Sequence, residues 1–280
     1  MTTIKKADGT IENFNETKLR RSLRRSGASK KEVDVITAKV MSELYDGIRT
    51  QEIYSKAFKY MRENEVPKAA RYSLRRALFG LGPTGFPFEK FLAKMFEHEG
   101  YTTRTGVIMQ GKCAQHEIDV AAYKADHSFV AEAKFHARPG IKTDLQVAMY
   151  SFARKLDLVE QKICQEDICG VKDLWIITNT KFTSAAEHYS ECSDITLLSW
   201  NYPVHNNLHD RIQATGLYPI TVLQSLSASQ KKLLLDRNVI VCSDIVARPH
   251  LLKPAHLSKQ KTEAVLSEAR QLSHEPKNLL

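Results

Sequence analysis

The chain has 280 residues, of which 42% are hydrophobic and 26% charged, a composition typical of a globular protein with two or three modest domains. No apolar run reaches the length of a membrane span and no signal-peptide pattern opens the sequence, so we expect a cytoplasmic protein without a membrane partner. The five cysteines include no CxxC pair, which favours neither a disulfide framework nor a zinc site.

The net charge of +9 lies almost entirely at the N-terminal end. Residues 1–80 contain 18 basic and 10 acidic residues, whereas residues 81–280 contain 23 and 22. A basic segment of this kind favours a partner that carries phosphates, but it does not separate nucleotides from nucleic acid.

The first 80 residues predict a β-hairpin followed by four helices. The hairpin covers residues 2–14 and turns at Asp8-Gly9, a strong hairpin signal because both central positions favour positive φ. The helices are bounded by capping residues, glycines or a helix-starting proline. They are expected from Asn15 to Gly27, over 30–46 after the Ser29 and Glu32 capping box, from Thr50, and from Pro67 to Gly80.

This order, with IKKADG near its start and ARYSLRR at its end, resembles the ATP-cone, the nucleotide-sensing domain of ribonucleotide reductases and of their transcriptional repressor. The resemblance covers residues 1–82 and implies a regulatory site for ATP or dATP. It implies nucleotide-binding roles for Lys6, Lys18, Arg71 and Tyr72, while Ala7 stands where the family often has a second basic residue. Because no GxxxxGK[ST] loop occurs, we expect binding without hydrolysis. The alternative is a basic helical domain with solvated arginines.

Glycines and a proline at residues 80–85 mark a domain boundary, after which helices and strands alternate. The expected elements are a helix at 86–98, strands near 101–109, 116–123 and 128–135, a helix near 143–163, a strand at 174–178, a helix at 184–192 and a strand at 195–200. The helix near 143–163 carries an apolar stripe, which consists of Leu145, Ala148, Met149, Phe152, Leu156 and Val159.

The hairpin with its turn at residues 124–127 carries the candidate chemistry. Side chains alternate between the faces of a strand, which predicts one apolar face made of Ile118, Val120, Phe129, Ala131, Ala133 and Phe135. Asp119, Glu132 and Lys134 belong to the other face, and the turn places Asp119 opposite Glu132. Opposed carboxylates repel each other, so we expect a cation between them, and a few oxygen ligands suit Mg²⁺. A surface hairpin with a charged solvent face is the alternative.

The order helix, three strands, helix, strand, with the segments GFPFEKFLAKMFEHEGY, HEIDV and VAEAKFH, resembles the Mrr-like, type IV-like restriction endonucleases of the PD-(D/E)xK superfamily. The resemblance implies a DNA endonuclease that uses Mg²⁺, or alternatively Mn²⁺. The implied metal ligands are Asp119, Glu132 and the carbonyl of Ala133, and the implied catalytic residues also include Lys134, Glu89 and Gln146. Ile118 stands where a proline usually precedes the aspartate. His116 is expected to be structural, with a phosphate contact as the alternative.

Residues 201–280 predict a mostly helical extension. A helix ends at Gly216, two more are expected in 217–226 and 227–236, and 261–272 is amphipathic. This extension serves either DNA contact or self-association, or it only packs against the rest of the chain.

The sequence therefore predicts an α/β (α+β overall) protein with an ATP-cone at 1–82, a PD-(D/E)xK nuclease core at 84–200 and a helical extension at 201–280. We expect a homo-oligomeric, Mg²⁺-dependent DNA endonuclease regulated by ATP or dATP. The alternative is a nucleotide-sensing DNA-binding regulator whose nuclease-like domain does not cut. The DNA substrate stays open among methylated sites, junctions, ends and single strands.

Overall fold

The computed structural model describes residues 2–64, 66–160 and 170–273. The strands are β1 (Thr3–Lys5), β2 (Ile11–Asn13), β3 (Ile48–Arg49), β4 (Thr102–Gln110), β5 (Gln115–Lys124), β6 (His127–Lys134), β7 (Lys142–Thr143), β8 (Asp173–Thr178), β9 (Lys181–Phe182) and β10 (Ile195–Leu198). The helices are α1 (Glu16–Arg25), α2 (Lys30–Ser42), α3 (Thr50–Asn64), α4 (Val66–Phe79), α5 (Phe86–His98), α6 (Leu145–Leu158), α7 (Ser184–Cys192), α8 (Leu208–Thr215), α9 (Ala228–Leu235), α10 (Cys242–Ala247) and α11 (Lys259–Ser273). None of these helices is long and apolar enough to cross a membrane.

The N-terminal segment folds as predicted from its caps, with one additional strand. Asn15 accepts a hydrogen bond from the N–H of Lys18 at the start of α1, and Ser29 and Glu32 form the predicted capping box of α2. Helix α2 ends at Ser42 rather than at residue 46. The short strand β3 was not predicted; it pairs in parallel with β1 and completes a sheet of order β2-β1-β3.

Helix α4 belongs to two hydrophobic cores. Ala69 and Tyr72 pack into the core of the N-terminal segment. Leu74 and Leu78 lie in the main core, which also contains residues of α5 and of the C-terminal helices. The hydroxyl of Thr221 donates a 2.6 Å hydrogen bond to the carbonyl of Ala77 in α4. The last helix of the N-terminal segment is therefore an internal element of the whole molecule.

The central sheet has five strands in the order β10-β8-β6-β5-β4. The predicted hairpin is its antiparallel β5–β6 pair, with Lys124 opposite His127, so its turn is only two residues long. Strands β8 and β10 continue the sheet in parallel with β6. Helix α5 covers one face, whose core includes Val120 and Phe129, and helices α6 and α7 cover the other.

One residue of the predicted apolar hairpin face lies on the opposite side of the sheet. Val120, Phe129, Ala131 and Ala133 share the α5 core, with Phe135 packed against it. Ile118 instead packs with Ala121 and Val130 on the α6 side. Ile118 and Ala121 are three residues apart but lie on the same face, so the alternation of side chains along β5 shifts by one residue around Asp119. In the neighbouring strand β4, the residue across from Asp119 is Gly106, whose φ is +61°.

The apolar stripe predicted for α6 is also partly wrong. Ala148, Ser151 and Leu158 are buried against the sheet, whereas Met149, Leu156 and Val159 are about half exposed or more. The regular spacing of apolar residues correctly predicted a helix. It predicted the wrong buried face, because small residues form much of the face that packs on the sheet. The predicted end of this helix at residue 163 lies outside the described residues.

The C-terminal segment packs on α4 and α5 and is mostly helical, but the helix predicted over 217–226 is wrong. That stretch contains only a 3₁₀ turn at Ile220–Val222. The carboxylate of Glu268 in α11 accepts hydrogen bonds from the backbone N–H groups of Gln224 (2.7 Å) and Ser225 (3.0 Å). These amides are satisfied by a side chain, which removes the need for helical bonding there. The predicted helix end at Gly216 is confirmed, with φ of 64°.

Candidate functional site: a carboxylate cluster on the central sheet

Three predicted site carboxylates come together at the β5–β6 hairpin. Asp119 lies in β5 and Glu132 in β6, and the register that pairs Val120 with Ala131 sets them side by side. Glu89, in the first turn of α5, is close enough for its ionisation to be opposed by the charges of Asp119 and Glu132. Glu117 in β5 adds to the same negative potential. A hairpin and one helix therefore hold several acidic groups in a small volume.

Asp119 is held by the backbone of the neighbouring strand. The N–H of Ala133 donates a 2.7 Å hydrogen bond to its Oδ2 atom. Burial and the nearby charge of Glu132 raise the pKa of Asp119 to about 6, although the Ala133 bond and Arg154 act in the opposite direction. The fixed carboxylate thus lacks full electrostatic compensation and retains the capacity to bind a cation.

The cation found at Glu132 is a side chain of the protein itself. Arg154 of α6 donates from Nη1 to Oε2 of Glu132 over 2.5 Å, and both side chains are largely buried, with 12% and 16% of their surface exposed. The Arg154 guanidinium also lies over the Tyr150 ring, 4.9 Å from its centroid. Burial works to lower the pKa of Arg154, but the attraction of Glu132 and the contact with Tyr150 outweigh it and raise the pKa.

Glu89 has the most perturbed acidity in the cluster. Burial, followed by the charges of Asp119, Glu117 and Glu132, raises its pKa to about 7. It therefore exchanges a proton near neutral pH, as a general acid or base requires. The Oε1 atom of Glu89 lies against Gly85, where an added Cβ would approach it to 3.1 Å.

Two predicted residues, Lys134 and Gln146, are solvent-exposed. Lys134 is the last residue of β6, two positions after Glu132, and its side chain is exposed. Gln146 is exposed in the first turn of α6. Neither is held by a contact to the carboxylates, so both are free to meet a ligand. His116 is different: its Nε2 lies 2.7 Å from Oδ2 of Asp157, an arrangement that ties β5 to α6 and fits the structural role.

In the N-terminal segment, the predicted nucleotide-binding residues occupy two separate places. Lys6 and Lys18 converge on Glu12, with Nζ–Oε distances of 2.6 and 3.3 Å. Tyr72 is buried in α4 and stacks on Tyr54, with ring centroids 5.0 Å apart. Arg71 is also buried and reaches Gly27, where a Cβ would lie 2.7 Å from its Nη1 atom. The two lysines form an accessible cationic pair, whereas Arg71 and Tyr72 are internal.

Arg154 was not predicted as a site residue. The signal was present in the sequence, because the buried face of α6 follows the spacing of Val147, Ser151, Arg154 and Leu158. An arginine at a core-facing position of a helix requires a buried acidic partner. The partner, 22 residues earlier, is set by the tertiary packing of α6 on the sheet.

Comparisons with known proteins assign both ends of the chain. Residues 2–78 match the ATP-cone domain model, and residues 218–273 match the model of the AF1548-like C-terminal domain. An uncharacterized protein from Archaeoglobus fulgidus is 35% identical over 182 residues, which cover 65% of this chain and 99% of that protein. The chain belongs to the AF1548-like family. The ATP-cone at its N-terminus indicates regulation by nucleotide sensing.

A solved AF1548-like structure agrees with this placement. The crystal structure of the protein of unknown function AF1548 is 32% identical, with a TM-score of 0.56, and the match covers 69% of this chain and all of that one. Neither the Archaeoglobus fulgidus relative nor the AF1548 structure is described with an activity, so family membership alone assigns no chemistry to the carboxylate cluster. The argument for function therefore rests on the residues themselves.

Proposed function

We propose that this AF1548-like protein is a metal-dependent DNA endonuclease regulated by ATP or dATP through its ATP-cone. The observation that carries the proposal is the convergence of Glu89, Asp119 and Glu132, with the pKa of Asp119 raised to about 6 and that of Glu89 to about 7. Such acidities concentrate at functional sites, since a fold gains no stability from uncompensated carboxylates. The likeness to Mrr-like PD-(D/E)xK enzymes supplies the reaction class.

The donor set fits a hard divalent ion by its chemistry. Asp119, Glu132 and the carbonyl of Ala133 would hold Mg²⁺ or Mn²⁺, which takes one or two protein carboxylates and keeps several waters. No group of three His, Cys, Asp or Glu side chains among residues 2–64, 66–160 and 170–273 is arranged as a complete metal site. When bound, the ion would polarise a phosphodiester and activate a water.

The chain's own residues contribute binding, orientation and proton transfer. Lys134 places a compact positive charge with three donors at the exposed edge of the cluster, where it would contact a phosphate oxygen. Glu89 would accept or return a proton at its carboxylate near neutral pH. The Ala133 N–H keeps the Asp119 carboxylate oriented. Gln146 lies exposed at the start of α6 and would contact the substrate.

The decisive experiment is plasmid cleavage by the purified chain with Mg²⁺, Mn²⁺ or EDTA. We expect nicking or linearisation with either metal and none with EDTA. A panel of methylated sites, junctions, ends and single strands then identifies the substrate. Absence of cleavage on every substrate, under conditions where the protein binds DNA, would reject the enzymatic proposal.

We expect Glu89→Gln to slow cleavage by about a hundredfold, a smaller loss than at Asp119, because proton transfer typically contributes factors of about 10² to 10⁴. The wild-type rate should depend on pH around 7, and the variant should lose that dependence. The folded-state pKa of about 7 exceeds the ordinary value of 4.5, so the stability linked to Glu89 is complete below about pH 4.5 and is lost as pH rises through 7. Glu97→Gln, an exposed change on the same helix, is the control.

The nucleotide is proposed to bind at the cone's hairpin. Lys6 and Lys18 share the single carboxylate of Glu12, so a polyphosphate would add the negative charge that the pair lacks. Any effect of the nucleotide on DNA binding is a coupling free energy and must be reciprocal. ATP or dATP should then change DNA affinity by the same factor as DNA changes nucleotide affinity.

We expect Lys18→Ala to weaken ATP binding by about tenfold, the effect of removing one charge-assisted contact. Titration calorimetry with ATP and dATP measures it. Arg24→Ala, an exposed change at the other end of α1, is the matched control and should bind like the wild type. Equal affinities for the two variants would remove Lys18 from the site, and a wild-type chain that binds neither nucleotide would reject the cone's proposed ligand.

A second function has a specific observation in its favour. The Arg154–Glu132 ion pair already supplies Glu132 with a counter-charge, as expected of a nuclease-like domain that has given up metal binding. The protein would then be a nucleotide-sensing DNA-binding regulator. DNA binding that responds to nucleotide but persists unchanged in EDTA, without cleavage in Mg²⁺, would identify this alternative.

A further inference from the structure

The turn of the cone's hairpin touches the loop that follows β6. A Cβ atom built on Gly140 would lie 3.5 Å from the Cβ of Asp8 and 4.0 Å from its Cα, so the two turns pack against each other. Gly140 has a φ of +97°, a conformation that favours glycine. Both residues are nevertheless exposed. The contact is therefore small and can open without uncovering a hydrophobic core.

The loop between β6 and α6 is fixed at both ends. It begins directly after Lys134, two positions beyond Glu132. The side-chain amide of buried Asn179 donates to the carbonyl of His136 and accepts from its N–H, each over 2.9 Å, and at the other end β7 pairs with β9. Residues 137–141 between these anchors are all exposed. The loop therefore offers its surface to a ligand that approaches Lys134.

The loop is basic, whereas the hairpin of the cone is neutral. Residues 134–142 contain three basic residues and no acidic residue; Lys134, Arg138 and Lys142 are all exposed. Residues 2–14 contain two basic and two acidic residues. The unliganded hairpin therefore gains little from the positive charge of the loop, which is available to the phosphates of DNA.

The hairpin residue that meets the loop lies close to the proposed nucleotide site. Oδ1 of Asp8 accepts hydrogen bonds from the N–H (3.0 Å) and the hydroxyl (2.7 Å) of Thr10, and these bonds lower the pKa of Asp8. Lys6 precedes Asp8 by two residues, which span at most about 7 Å. Charges act over about 8 Å at physiological salt. A polyphosphate at Lys6 is therefore close enough to be attracted by the loop.

We propose that a bound nucleotide holds the Asp8 turn closed on the loop at 137–141 and thereby excludes DNA from that loop, a regulation that rests on the proposed function. The polyphosphate adds several negative charges to a hairpin that is neutral without it. Its attraction to Lys134, Arg138 and Lys142 favours the closed contact. DNA needs the same basic residues, so nucleotide and DNA bind with negative coupling. The contact is autoinhibitory.

A disulfide between the two turns measures the contact without any need for cleavage. The Cβ separation of 3.5 Å lies within the range that a disulfide spans, about 3.5–4.5 Å. The test protein is the full chain with Asp8→Cys and Gly140→Cys, in which serine replaces every natural cysteine except the buried Cys242. With a fixed oxidant, we expect ATP to raise the rate of disulfide formation about fivefold or more. Lys18→Ala should remove this effect of ATP.

A second test leaves Gly140 unchanged. ATP should weaken the binding of duplex DNA to the wild type by about fivefold or more, and DNA should weaken ATP binding by the same factor. Arg138→Glu/Lys142→Glu should bind the duplex more weakly and lose most of the ATP effect. Arg237→Glu/Lys259→Glu, an equal change of charge at exposed positions of the C-terminal segment, is the matched control and should keep that effect.

The outcomes separate this contact from the proposed nuclease activity. If ATP accelerates the disulfide, the oxidised protein binds DNA weakly until it is reduced, and no substrate is cut, the contact stands and the nuclease proposal fails. If DNA is cut but the disulfide does not form, or ATP does not accelerate it, the contact fails and the nuclease proposal stands. A rise in DNA affinity with ATP, or equal ATP effects in the two charge-reversal variants, would also overturn the autoinhibitory contact.

Discussion

Asp119→Asn is expected to abolish DNA cleavage while making the metal-free protein more stable. The substitution removes the charge that would hold Mg²⁺, but its amide oxygen can still accept the hydrogen bond from Ala133 N–H. Losing an essential charged group typically costs several orders of magnitude in rate. Because each pKa unit corresponds to about 1.4 kcal/mol, the raised pKa of Asp119 implies a gain of roughly 2 kcal/mol at pH 8, allowing for partial exposure.

The pH dependence fixes the sign of this effect. The folded-state pKa of about 6 lies above the ordinary value of 3.8, so the stability linked to Asp119 is complete below about pH 4 and is lost as pH rises through 6. The advantage of Asp119→Asn should therefore appear between these values and stay constant at higher pH. Urea unfolding at pH 4, 6 and 8 measures it, with Asp126→Asn in the exposed hairpin turn as control. An Asp119→Asn protein that cuts at the wild-type rate would refute the site assignment.

The same hydrogen bond distinguishes Asp119→Asn from Asp119→Ala. Alanine also removes the repulsion between carboxylates, but it leaves the N–H of Ala133 without its acceptor, at a cost of about 1–3 kcal/mol. The two contributions have similar size and opposite sign. Asp119→Ala should therefore be inactive without a clear gain in stability.

Arg154→Met is expected to destabilise the metal-free protein by about 3 kcal/mol, because it leaves the carboxylate of Glu132 largely buried without its partner. The double variant Glu132→Gln/Arg154→Met should recover most of this loss, since both charges are then absent. Chemical unfolding of the single and double variants measures the pairwise interaction. Lys155→Met, the next residue on α6, is the control.

Added Mg²⁺ connects this prediction with the proposed function. If Glu132 is a metal ligand, Mg²⁺ should restore part of the stability of Arg154→Met and should bind it more tightly than the wild type, where Arg154 competes. If Mg²⁺ leaves the stability of Arg154→Met unchanged, Glu132 is only the partner of a structural ion pair, and the regulator alternative gains support.

Turn and capping residues in the sequence predicted the strands and helices that carry the site. The position of the turn defines the register of a hairpin, so the pairing of Asp119 with Glu132 follows from the sequence. The capping signals of Asn15 and Ser29 likewise placed the starts of α1 and α2. The helix that carries Glu89 was predicted over 86–98, and it runs over those residues.

The errors came from features that depend on distant residues. Ile118 lies on the opposite face of the sheet from the predicted one, because the alternation of side chains shifts near Gly106. The local spacing of apolar residues does not reveal this shift. The stripe of Met149 and Leu156 identified a helix but not the side on which the sheet would pack. Residues 217–226 do not form the predicted helix, because the carboxylate of Glu268, more than forty residues later, accepts a hydrogen bond from their backbone. Arg154 was missed as the partner of Glu132, because only the tertiary packing of α6 on the sheet brings the two side chains together.

Because α4 contributes to two hydrophobic cores, neither the ATP-cone nor the C-terminal segment can be removed without disturbing the other. Leu74 and Leu78 would become exposed to water if the C-terminal segment were removed, and a gap would open beside α5 if the cone were deleted. The ATP-cone is thus not an independently folded domain joined by a linker, even though its sequence motifs all lie within its own residues. A change of packing in the core of the cone can therefore reach the main core directly, because α4 contributes side chains to both.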